Sequence, residues 1–116
     1  CHCHKTTRLL KEMNKKYSEK IILSFQSRFG REEWLKPYTE ETVIKLANDG
    51  IKKLAVLSPA FFSDCVETLE ELNIGIQEVF TENGGEEFTL IPCLNDSQNG
   101  IDLLDYLIKN ELQGWV

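Results

Sequence analysis

Three short apolar runs, KIILSFQS (20–27), KKLAVLSP (52–59) and FTLIPCL (88–94), punctuate this chain of 116 residues. Each is bounded by charged or turn residues and is too short for a buried helix, so each reads as a strand. Apolar residues fill consecutive rather than alternate positions, which predicts strands covered on both faces. Segments of helical period lie between and around them. A basic helix is expected over 5–16, with Leu9, Leu10 and Met13 as its stripe. A second spans 39–49, with Thr39 as N-cap, Glu40 and Glu41 in the first turn, and Asp49-Gly50 as the stop. Residues 60–74 read as loop and helix, GIQEVFTENGG (75–85) as a strand and a turn, and 98–109 as a last helix striped by Ile101, Leu104, Leu107 and Ile108. Strands alternating with helices predict an α/β fold, a parallel sheet with right-handed connections and a ligand site at the carboxyl ends of its strands. Those ends are Gln26-Ser27-Arg28, Pro59 to Asp64, and Leu94-Asn95-Asp96.

The totals narrow the function. With 41% hydrophobic and 28% charged residues the chain has the composition of an ordinary globular domain. A net charge of −6 argues against a nucleic-acid partner held by its phosphates. No apolar run approaches the roughly 20 residues of a membrane span. The four cysteines, Cys1, Cys3, Cys65 and Cys93, do not form the spaced framework of a secreted disulfide protein, and a reducing cytoplasm fits them better. The opening Cys1-His2-Cys3-His4 matches neither structural zinc spacing nor a c-type haem motif. It reads as the interior of a longer protein.

Two segments carry candidate chemistry. In SDCVETLEEL (63–72), a helix of ordinary pitch puts Asp64, Glu67 and Glu71 on one face and Cys65, Leu69 and Leu72 on another, core-facing one. Like charges at such spacing repel by about 0.2–0.5 kcal/mol per pair. The row is therefore either a helix start, with Asp64-x-x-Glu67 as a capping box, or a set of working carboxylates. Beside the apolar loop Pro59-Ala60-Phe61-Phe62, such a carboxylate is expected to have a raised pKa and to handle protons or a metal ion. The second segment is Gln26-Ser27-Arg28 with Trp34, where Arg28 can pair with a ligand carboxylate and Trp34 can line a pocket. Gly84-Gly85 is a turn.

FQSRFGREEWLKPYTEET (25–42) followed by SPAFFSDCVETLEEL (58–72) resembles ferrochelatase, and the likeness runs through VFTENGG (79–85), IPCLN (91–95) and the C-x-x-T-T pattern of Cys3 to Thr7. The chain looks like the C-terminal half of a ferrochelatase of the Gram-negative bacterial kind. The resemblance implies a Rossmann-like three-layer sandwich, a chelatase-like fold in which two such halves enclose a porphyrin cleft. It implies insertion of Fe²⁺ into protoporphyrin, with Glu67 and Glu71 as catalytic acids that also handle the metal in transit. Phe61, Gln26, Ser27, Arg28 and Trp34 would bind substrate. No cofactor is implied as a permanent resident, since Fe²⁺ is substrate and no cysteine cluster for a [2Fe-2S] centre is present. The implied partners are the porphyrin, Fe²⁺ and a missing N-terminal half, in the cytoplasm with peripheral contact to the inner membrane. Cys65 stands where many relatives carry histidine, and the family's principal active-site histidine falls upstream of Cys1. A cobalt chelatase and a non-catalytic porphyrin- or metal-binding half-domain are the rival readings.

Overall fold

The computed structural model describes residues 1–26 and 33–115. Helix α1 (His2–Met13) leads into a 3₁₀ turn (Lys15–Lys20), followed by α2 (Thr39–Asn48) and strand β1 (Lys53–Leu57). A π-helix, Glu67–Ile76, runs without a break into α3 (Gln77–Glu82); β2 (Glu87–Ile91) and α4 (Gln98–Glu111) complete the order. The two strands pair in parallel, from Lys53 with Glu87 to Leu57 with Ile91. This is a strand–helix–strand crossover unit, as the alternation predicts.

The wide helix has an unusual burial rhythm. Thr68, Leu72, Ile76 and Phe80 are buried, Glu67, Glu71, Gly75, Val79 and Asn83 are half-buried, and every other residue from Val66 to Glu82 is exposed. A spacing of four drifts around an ordinary helix. In a coil closed by i→i+5 bonds it runs nearly straight along the axis. The row of Leu72, Ile76 and Phe80 packs on Val43 and Ala47 of α2, with Leu54, Val56, Phe88 and Leu90 of the sheet beneath. Leu69, expected in the core, is 54% exposed because it lies off this row. The same row carries the helix through 75–82, where the sequence suggests a strand. It ends at Gly84, whose φ of +98° suits a residue without Cβ. Gly85 is pressed against the Phe80 ring, where a Cβ would lie 2.3 Å from ring carbons.

KIILSFQS differs from expectation. Among the described residues it makes one isolated parallel bridge, Phe25 to Tyr38, with Phe25 N–H donating to Pro37 and Thr39 N–H donating to Phe25. Its predicted place in the ladder has no neighbour there. Thr39 is the first residue of α2 rather than its cap; its hydroxyl donates to Ser24 Oγ at 3.1 Å. The α/β class is as expected. Only one face of the two-stranded sheet is covered among the described residues, and Ala55, Leu57, Thr89 and Ile91 on the other face are exposed. The stripes of α1 and α4 are largely exposed too, and Gly100 is the one buried residue of α4. No described helix is long and apolar enough to cross a membrane.

Candidate active site

The carboxyl ends of β1 and β2 lie side by side, and the turns that follow them meet. After β1, a turn closed by Phe61 N–H to Ser58 leads to Asp64, three residues before the wide helix begins at Glu67. After β2, the chain passes Cys93 and reaches Asn95, which has a left-handed φ of 48°.

Asp64 is the node between the two. Its carboxylate accepts from Asn95 Nδ2 at 2.7 Å, from Thr68 Oγ1 at 3.0 Å and from Cys93 N–H at 3.4 Å, while its own N–H donates to Asn95 Oδ1 at 2.8 Å. The Asn95 bond, with help from Thr68 and Cys93, holds the Asp64 carboxyl below the usual range. Asp64 and Glu67 do not form the expected capping box. Fully buried Thr68 takes that role, accepting Cys65 N–H at 3.0 Å, so the helix start is satisfied by a hydroxyl on the core row. Burial first, then Asp64, pushes the Cys93 thiol up to about 11.

Glu67 and Glu71 follow one another along the half-buried row beside the core. A hydrogen bond from the Cys65 thiol, joined by Glu67's own N–H, lowers the pKa of Glu67. The raised pKa expected for a carboxylate in an apolar cleft is thus reversed, because donors reach it and burial is the smallest influence. Glu67 is therefore an anion near neutral pH, suited to meeting a cation, and the lowering makes it a weaker rather than a stronger proton acceptor. Glu71 Oε2 accepts from Gln26 Nε2 at 3.3 Å across forty-five residues of sequence. Gln26 in turn lines a cavity of about 370 Å³ with the aromatic Phe25, Trp34 and Tyr38 and the polar Thr39, Glu40 and Glu41. A larger depression of about 490 Å³ lies on the solvent side of the wide helix, lined wholly by exposed residues from Asn73 to Glu82 and away from the carboxylates. Its chemistry is that of a solvated helix face.

The structure therefore brings Gln26, Trp34 and Glu71 together and places Glu67 one turn away. Phe61 stands on the turn after β1 with an exposed side chain. Ser27 and Arg28 lie outside the described residues. Among the described residues no group of three His, Cys, Asp or Glu is arranged to hold a metal ion. Sequence reasoning missed Thr68, Cys93 and the role of Asn95. A position at a strand end was the only signal for Asn95, and the four-residue spacing of Thr68, Leu72, Ile76 and Phe80 was the signal for Thr68.

A profile of the ferrochelatase family matches residues 1–112. Over all 116 residues the chain is 56% identical to a ferrochelatase of Agrobacterium fabrum and 55% identical to one of Rhizobium etli. It is 53% identical over 114 residues, 98% of its length, to one of Nitrobacter hamburgensis. The chain spans about a third of these relatives, 34%, 34% and 33% of their lengths.

Proposed function

Because the chain belongs to the ferrochelatase family, we propose that it is the C-terminal α/β part of an enzyme that inserts Fe²⁺ into protoporphyrin to form haem. In this reading it supplies the acidic wall of the porphyrin cleft, completed by an N-terminal part. The complete sheet would be the centre of a Rossmann-like three-layer sandwich, with its bare face covered. The observation that carries the reading is the half-buried row of Glu67 and Glu71 beside the core, with Glu71 bonded to Gln26.

The chemistry asks for such a row. A neutral porphyrin must release two pyrrole N–H protons as a dication takes their place, so the site has to accept protons and tolerate a passing cation. Glu67 is the proposed proton acceptor and first ligand of Fe²⁺ in transit, its lowered pKa favouring the second role. Glu71, oriented by Gln26, is the next station along the same row. Trp34 offers an apolar wall and Gln26 a polar handle for the macrocycle, in a cavity that Glu40 and Glu41 also line, and Phe61 offers a further apolar contact. Arg28 and Ser27 are proposed as partners of substrate carboxylate and edge groups. No permanently bound cofactor is invoked. The proposed setting is the cytoplasm, with the exposed apolar turn at Phe61 available to the inner-membrane surface.

The test is Glu67→Gln in the complete gene product that contains this chain. Removing a general base is expected to lower kcat for iron insertion by about 100-fold or more, with porphyrin KM changed only a few-fold. Near-normal insertion would sink the role.

A further inference from the structure

Asn95 holds the loop before the wide helix at two main-chain points. Its N–H donates to the Phe62 carbonyl at 3.0 Å, and its side chain forms a two-bond ring with Asp64, accepting from Asp64 N–H and donating to the Asp64 carboxylate. The amide orientation follows from this chemistry, since only the NH₂ can face a carboxylate and only the oxygen can face an N–H. The left-handed backbone at Asn95 is one that asparagine enters more readily than other residues with a side chain. Both halves of the residue, backbone and amide, therefore suit one task. From Asp64 the constraint passes to Thr68, which donates to the same carboxylate and accepts Cys65 N–H, so the first turn of the wide helix, which carries Glu67 between Cys65 and Thr68, is fixed.

We infer that Asn95 is a positioning residue for Glu67: by clamping Asp64 to the end of β2, it fixes the helix start that aims the Glu67 carboxylate. This rests on the assignment of Glu67 made above. Asn95 need not touch substrate. It ties the carboxylate row to the sheet, so that the row cannot swing with the loop.

Three variants of the complete gene product test this, with iron insertion measured relative to the unaltered protein at each pH. Asn95→Asp sets two carboxylates against each other. Its kcat is expected to fall about 10-fold or more at neutral pH, and to recover relative to the unaltered protein near about pH 5, where the repelling pair shares a proton. Exchanging the partners, Asp64→Asn with Asn95→Asp, swaps donor for acceptor while keeping every bond, and is expected to restore kcat to within about threefold at neutral pH. Asn95→Gly keeps the left-handed backbone and the Phe62 bond, folds, and loses the clamp; kcat should fall while porphyrin KM stays within a few-fold. Asn95→Gly and Asn95→Asp both at full kcat would overturn the inference while leaving Glu67 in place. So would an exchanged pair as impaired as Asn95→Asp, because the Asp64 charge itself would then be what matters. Full activity of Glu67→Gln in the same assay would remove the assignment of Glu67 and the inference with it.

Discussion

Cys93 and Asp64 titrate in opposite senses, each because of the other and of its surroundings. Cys93 is raised from 9.0 to about 11, by burial first and then by the Asp64 bond and charge. Asp64 is lowered from 3.8, chiefly by Asn95. A carboxyl depressed in the folded state contributes stability that is fully present above its ordinary pKa and is lost as pH falls through the folded value. A thiol raised in the folded state makes unfolding easier as pH climbs from 9.0 towards about 11. The stability profile of the complete gene product should therefore fall at both ends, and Asp64→Asn should flatten the acid limb below 3.8. An acid limb unchanged in denaturant titrations of that variant would show that Asp64 is not held as described. None of this was legible in the sequence. Asp64 and Asn95 are thirty-one residues apart, and nothing local marks them as partners.

At the scale of elements, periodicity located β1, α2, β2 and α4 well, because those segments satisfy their own patterns. It failed where the pattern depended on a helix type the eye does not apply. Read at 100° per residue, Asp64, Glu67 and Glu71 share a face; in the wide coil Glu67 and Glu71 stay together while Asp64 leaves the helix for the loop. KIILSFQS fails for another reason, because a strand is defined by neighbours that its own sequence does not contain. The wide helix depends on its buried hydroxyl. Thr68→Val keeps the volume but orphans Cys65 N–H and one Asp64 bond, and should destabilise by about 1–3 kcal/mol. Thr68→Ser should cost clearly less, since the hydroxyl remains. Equal losses for the two variants in urea titrations would mean that the methyl, not the hydroxyl, holds the helix start.

At the scale of the molecule, the surface is too large for the chain's mass. A folded monomer of 13.4 kDa is expected to expose about 6,500 Å², and this one exposes 9,100 Å². Its radius of gyration of 16.6 Å compares with roughly 13 Å for a compact domain of this length. Apolar side chains contribute to it: Leu57 and Ile91 on the bare sheet face, and Ile101, Leu104, Leu107 and Ile108 along α4. The sequence announced this by making the strands apolar on both faces, but it did not say what covers the second one. The 116 residues by themselves should bind a hydrophobic dye strongly and self-associate in sedimentation runs; a monomer silent to the dye would contradict the exposed faces. The parallel ladder also sets an order of events. Its first rung joins Lys53 to Glu87, thirty-four residues on, and the Asp64–Asn95 ring spans nearly as long a loop. Closing such a loop is the slow, entropically costly step, and once the sheet has closed it the ring adds little further cost. A chain emerging from the ribosome thus has Glu67 and Glu71 in hand before β2 and Asn95, which tie their helix start to the sheet, have been made.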